Sequence, residues 1–246
     1  MQKVSKTELK LIKSLKYKKY RYKNGLFVVE GIKVIKEFLN SNYELVKLYS
    51  TDDIFKVQDS KKVLISDKDL KGLSFLSTPQ IAIATFRIRQ AVELNLSGLA
   101  LALDGINDPG NLGTIIRLCD WFGIKDVLCS LTTVDCYNLK VVQSTMGSLC
   151  RVNLHYMELE DILNTIDVKK YTSEMEGESV YDAKLSQNAI LVMGNESHGV
   201  SDRISKLCSN KLTIPQFGVS KETESLNVAM ATSIMLSEFK RRIIER

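Results

Sequence analysis

The chain predicts an α/β fold in two parts: a C-terminal part built on a mostly parallel sheet with helices on both faces, and a small α/β unit in front of it. Three observations carry this. From Leu99 onward, short apolar runs alternate with helical stretches, as a parallel sheet with crossover helices requires. The weakly patterned RIRQAVELNLSG, with its Ser-Gly, separates that array from an earlier, shorter alternation and gives domains at residues 1–92 and 97–246. A length of 246 residues, 44% apolar and 26% charged, is enough for a sizeable core.

In chain order, residues 7–20 predict a helix, GLFVVEG a short strand and IKVIKEFLNS a helix. YELVKLYS, KVLIS and IAIATF read as strands, with SDKDLKGLS a capped helix between the last two. The second part predicts strands at LALDGI, DVLCS, RVNLHY, KYTSEM, AILVMG and KLTIP. Helices are expected near 111–123, 138–148, 158–166, 200–208 and 225–244. Ligands in such sheets collect beyond the carboxyl ends of the strands, so the runs to inspect are DGINDPGNLG, GNESHGVS and IPQFGVSKETESLN.

Composition narrows the function classes. No run of about 18 apolar residues occurs, and MQKVSKTELKLIKSLKYKKY lacks the apolar segment of a secretory signal, so a cytoplasmic protein is expected. Five cysteines without CxxC spacing read as reduced core thiols, and with only two histidines no metal site is expected. Charge is uneven: residues 1–50 hold 12 Lys+Arg against 4 Asp+Glu, and the remainder 22 against 25. Within the basic front, LKYKKYRYKNG interleaves Lys16, Lys18, Lys19, Arg21 and Lys23 with Tyr17, Tyr20 and Tyr22, the first four being the candidate RNA contacts. That pairs phosphate attraction with rings able to stack on unpaired bases, and a solvated helix face with packed tyrosines is the competing reading.

The loops lack the standard nucleotide signatures. GNLG is neither GxGxxG nor GxxxxGK[ST]. Asn111 reads as a helix cap or a ligand group. Arg117, among apolar residues in GTIIRLCDWFG, wants an anion: a bound phosphate, or a salt bridge to Asp104, Asp108 or Asp120. NESHG falls short of the hydrolase GxSxG because Asn195 replaces the first glycine, and no histidine follows His198. What remains there is Gly194 and Gly199 bracketing Glu196. In the third run, Ile214-Pro215 and Gly218 precede Ser225-Leu226-Asn227, where Glu224 or Ser225 is a candidate cap.

Together DGINDPGNLGTIIRLCDWFGI, LVMGNESHGVS and IPQFG…ESLNVAMA resemble the three ordered motifs of the SpoU (TrmH) family of RNA 2′-O-ribose methyltransferases, of the SPOUT superfamily. The front of the chain resembles the family's accessory RNA substrate-binding domain. The resemblance implies S-adenosylmethionine as cofactor, a C-terminal trefoil knot and a homodimer with the active site near the subunit interface. It also implies a cofactor pocket lined by Gly194, Glu196, Ile214, Pro215, Gly218 and Leu226, and a catalytic and substrate-positioning set of Asn111, Arg117, Glu196, Ser225 and Asn227. VSKETE, between Gly218 and Ser225, is a few residues longer than in many members, and Gln216 stands where another residue is often found.

The expected substrate is RNA, ribosomal before transfer RNA. A ribose hydroxyl is a weak nucleophile, so catalysis must align oxygen, methyl and sulfur and assist proton loss. The family mechanism implies Arg117 as proton acceptor, but a guanidinium stays protonated, and phosphate binding is the role its chemistry favours. The competitors are a non-catalytic RNA-binding protein on the same scaffold and a dehydrogenase, which lacks its glycine fingerprint here.

Overall fold

The computed structural model describes residues 3–218 and 225–244. Its elements run α1 (Lys6–Ser14), α2 (Lys18–Asn24), β1 (Leu26–Glu30), α3 (Ile32–Leu39), β2 (Leu45–Ser50), β3 (Lys62–Leu64), α4 (Asp67–Leu73) and β4 (Ala82–Arg87). They continue as β5 (Leu99–Asp104), α5 (Pro109–Phe122), β6 (Asp126–Ser130), α6 (Leu139–Thr145), β7 (Asn153–Met157), α7 (Leu159–Thr165), β8 (Lys169–Ser179), β9 (Ala189–Gly194), α8 (Asp202–Ser205), β10 (Asn210–Thr213) and α9 (Val228–Ile244). The chain divides into two compact units, Met1–Gln90 with Asp135–Cys150, and Ala91–Val134 with Arg151–Arg246. Residues 135–150 follow β6 in sequence yet pack with the first unit.

The first unit holds a mixed four-stranded sheet in the order β1-β4-β2-β3, antiparallel except for β2 and β3. One cluster of buried side chains joins Ile12 and Leu15 to Val28, Tyr49, Ile83 and, from α4, Leu70 and Leu73. An aromatic cluster joins Phe27 to Phe38, Tyr43, Phe86 and Tyr137, the Phe27 and Tyr137 centroids lying 4.6 Å apart. Residues 7–20 are not one helix as expected: the chain turns at residues 15–17 between α1 and α2. α1 starts on a capping box, with Ser5 and Glu8 exchanging side-chain and backbone bonds, and stops where Leu15 is drawn into the core.

Arg21 fixes that turn, and here the sequence expectation is corrected. It is not available as an RNA contact but is 2% exposed. Its Nε and Nη2 donate to Asp135 Oδ2, the former at 2.9 Å, and its Nη1 donates to the carbonyls of Leu15 at 3.0 Å and Lys16 at 2.9 Å. A buried guanidinium requires such a carboxylate and full use of its donors, and Asp135 supplies the charge from far along the chain. Tyr22 donates to the other oxygen of Asp135 at 3.0 Å.

The second unit is a six-stranded, wholly parallel sheet in the order β10-β8-β9-β5-β6-β7. On one face Ala100, Ala102, Leu128, Ile190 and Val192 pack against Leu159 and Leu163 of α7 and Ile204 of α8. The pleat turns the alternate residues, Leu101, Leu103, Leu191 and Met193, to the other face, where α9 packs on β9 and α5 on α9. Helices on both faces of a parallel sheet are what the alternation predicted. Among the described residues no helix is long and apolar enough to cross a membrane, and no cluster of His, Cys, Asp and Glu could hold a metal ion.

Candidate active site

The site forms where parallel strands β5 and β9 end side by side, Asp104 opposite Gly194. Past β5, Gly105 takes a left-handed φ of 75° and the chain enters α5 through Asp108 and Pro109. The cap of α5 is Asp108, whose Oδ1 accepts from the Asn111 amide at 2.8 Å, so Asn111 does not cap as one reading allowed. A proline at the first helical position costs no hydrogen bond there. The side chain of Asn111, in the first turn, is thereby left for other contacts.

Beyond β9, residues 195–199 close on themselves through reciprocal Asn195 and Gly199 backbone bonds of 2.9 Å. Gly194 is required by that closure: a Cβ there would lie 2.0 Å from the Gly199 carbonyl carbon and 2.1 Å from Val200 N. Asn195, which spoiled the hydrolase pattern, donates to Gly105 O at 2.7 Å and accepts from the Ser197 amide at 2.9 Å and the His198 amide at 3.2 Å. It ties the two loops together, a role the sequence signalled only as a departure from GxSxG. Asp104 accepts from the Ser201 amide at 2.8 Å and hydroxyl at 2.6 Å, anchoring the start of α8.

Glu196 reaches back across both loops. Its Oε1 accepts from Asn111 Nδ2 at 3.0 Å and the Asp108 amide at 3.2 Å, and its Oε2 from the Asn107 amide at 3.3 Å. Asn227 Nδ2 donates to Asn111 Oδ1 at 3.0 Å, while Asn227 Oδ1 accepts from the Ala229 amide at 3.0 Å and so caps α9. A carboxylate only accepts, so Asn111 must turn its amide to Glu196 and its carbonyl to Asn227, which leaves Asn227 its own oxygen for the helix. One polar chain thus links three loops far apart in sequence. Partial burial pushes the Glu196 carboxyl up, but the bonds from Asn111 and the two amides outweigh it and hold the group below the ordinary glutamate value of 4.5.

The expected set is only partly joined. Asn111, Glu196 and Asn227 come together. Arg117 lies exposed on α5 with no hydrogen bond or ion pair among the described residues, and the three carboxylates considered for it are engaged elsewhere: Asp104 with Ser201, Asp108 with the helix start, and Asp120 with Arg151 at 2.9 Å. Ser225 is exposed in the segment before α9, which begins at Val228 rather than 225, and Asn227, not Ser225, is the cap. Ile214 and Pro215 are half-buried just past β10, and Gly218 and Leu226 are exposed. The cofactor-loop segment Val219 to Glu224, with the candidate cap Glu224, lies outside the described residues. Large apolar side chains stand in solvent nearby in sequence: Trp121 at 85% exposure, Phe217, Met230 and Leu226.

The sequence profile of the SpoU rRNA Methylase family matches residues 98–237, and that of the MRM3-like substrate binding domain matches residues 6–84. The 23S rRNA (guanosine(2553)-2′-O)-methyltransferase RlmP of Bacillus subtilis is 28% identical over 232 residues, which cover 91% of this chain and 92% of that protein. A TrmH-family protein from Porphyromonas gingivalis superposes with a TM-score of 0.89 at 36% identity, over 98% of this chain and all of that one. An AdoMet-bound rRNA methyltransferase from Sinorhizobium meliloti superposes at 0.86 with 27% identity, over 98% of both chains.

Proposed function

The chain belongs to the SpoU rRNA methylase family, and from that premise we propose that it transfers a methyl group from S-adenosylmethionine to a ribose 2′-hydroxyl of RNA, ribosomal RNA rather than transfer RNA. The observation that carries the reading is the Glu196, Asn111 and Asn227 chain, which makes one polar surface at the carboxyl edge of the sheet. The names of the B. subtilis and S. meliloti relatives, both rRNA methyltransferases, support the substrate.

The residues present suit the cofactor. Ile214, Phe217 and Gly218 carry backbone groups without hydrogen-bond partners among the described residues, suited to holding an adenosine by its edges. Gly194, Glu196, Ile214, Pro215, Gly218 and Leu226 would hold it. When bound, it supplies a methyl activated on a sulfonium and a neutral thioether leaving group. Arg117, exposed and without a carboxylate partner among the described residues, binds the phosphate beside the target ribose. Asn111, fixed at both ends of its amide, orients that nucleotide, with Ser225 and Asn227 completing the surface. Glu196 is a positioning residue: three donors occupy it and its carboxyl titrates below the usual range, which makes it a poor proton acceptor at neutral pH.

The proposal includes the two domain roles, RNA binding at 1–92 with Lys16, Lys18 and Lys19, and methyl transfer at 97–246. It also includes cytoplasmic location, supported by five cysteines kept as thiols, the C-terminal knot, and a homodimer, supported by the exposed Trp121, Phe217 and Met230. The test is methyl transfer from labelled S-adenosylmethionine to ribosomal and transfer RNA, with Arg117→Ala and Asn111→Ala beside the wild type. Transfer to rRNA, lost in both variants, is expected. Cofactor binding by calorimetry without transfer to any RNA would leave the non-catalytic reading in its place.

A further inference from the structure

The turn that Arg21 imposes has a second result. Where α1 and α2 diverge, a cleft of about 750 Å³ opens, lined by both helices and by Phe75 just past α4. Lys10, Lys16 and Lys23 border it, and no acidic residue does. None of these three ammonium groups has a carboxylate partner among the described residues, and all three are exposed. Three rings share the cleft. Tyr17 and Tyr20 are 60% and 40% exposed, set edge to face with centroids 6.4 Å apart. Phe75 is held from one side by Lys13, whose Nζ lies 4.6 Å from the ring centroid and donates to Ser74 O at 2.8 Å.

The neighbouring groups differ in kind. The Tyr22 hydroxyl is committed to Asp135, and Lys18 lies over the Tyr22 ring, 6.0 Å from its centroid. Lys18 and Lys19 do not line the cleft. Lys10, Lys16 and Lys23 and the rings of Tyr17 and Tyr20 have no such internal use, and the bonds from Arg21 to the Leu15 and Lys16 carbonyls fix the turn that carries them.

We propose that this cleft seats unpaired RNA, with Lys10, Lys16 and Lys23 on consecutive phosphates and a base stacked on Tyr17 or Tyr20. Exposed cations beside exposed rings match single-stranded nucleic acid, whose backbone is anionic and whose bases present flat faces; a duplex would hide those faces. The inference rests on the reading that the protein acts on RNA. It narrows the contact legible in sequence: Lys16, Lys23, Tyr17 and Tyr20 are kept, Lys18, Lys19 and Arg21 are left out, and Lys10 and Phe75 are added from other parts of the unit.

The test uses the full chain and a labelled unpaired RNA of about a dozen nucleotides, with fluorescence anisotropy at several salt concentrations. Tyr17→Ala with Tyr20→Ala should weaken binding about tenfold or more at unchanged salt slope. Tyr17→Phe with Tyr20→Phe should keep the affinity, because stacking needs the ring and not the hydroxyl. Lys10→Ala, Lys16→Ala and Lys23→Ala together should flatten the slope by about 2, from roughly 0.7 per phosphate contact. Lys33→Ala with Lys36→Ala, exposed on α3, should change little. A duplex bound as tightly as the single strand, or cleft variants that bind like the wild type, overturns the proposal while leaving methyl transfer standing. Should the wild type bind S-adenosylmethionine but no RNA of any form, the RNA reading itself falls and the cleft with it.

Discussion

Glu196 holds the site together by accepting bonds, so its replacement by a near-isostere is informative. Glu196→Gln keeps the volume but must point an NH2 at a donor, leaving one of Asn111, Asn107 or Asp108 without a partner. Methyl transfer should fall roughly tenfold to a hundredfold in kcat/KM, because Asn111 loses its fixed orientation. The pH dependence follows from the depressed carboxyl. Its contribution to stability is fully present above the ordinary value of 4.5 and is lost as pH falls through the lower folded value. Urea denaturation at a series of pH values should show that acid loss in the wild type and a flatter curve in the variant. Arg21 makes a different case. Arg21→Ala leaves Asp135 buried without its cation, and a loss of about 3–5 kcal/mol is expected by urea denaturation, with Arg21→Lys recovering little because an ammonium cannot reproduce the fork.

At the scale of elements, helix starts and strand ends decide the site. Asp108→Ala removes the α5 cap and should cost about 1 kcal/mol, read as a fall of a few degrees in Tm, with loss of order at Asn111 as its chemical consequence. Gly194→Ala meets backbone, not a flexible side chain, so the β9 loop must move. Calorimetry should find cofactor binding weakened at least tenfold. Much at this scale was legible: strands and crossover helices follow apolar periodicity, and the Asp-Pro before Asn111 carries an ordinary helix-start signal. The break between α1 and α2 was not legible, because local propensity favours a continuous helix from residue 7 to 20. It is undone by Arg21 bonding to Leu15 and Lys16 under the pull of Asp135, and no local pattern records a partner more than a hundred residues away. The same limit explains why Lys10 went unread while Arg21 was counted as a surface charge.

For the whole molecule, the exposed Trp121 and Met230 predict association. Sedimentation should give twice the chain mass, and Trp121→Glu should shift it toward a single chain. The first unit also has a temporal side. Its buried arginine waits for Asp135, and its aromatic cluster for Tyr137, so a nascent chain cannot finish that unit until residues well past the sequence boundary have left the ribosome. A fragment cut at residue 92, where composition invites the cut, would strand a guanidinium in an apolar interior, and limited proteolysis should digest it far faster than the same residues within the intact protein.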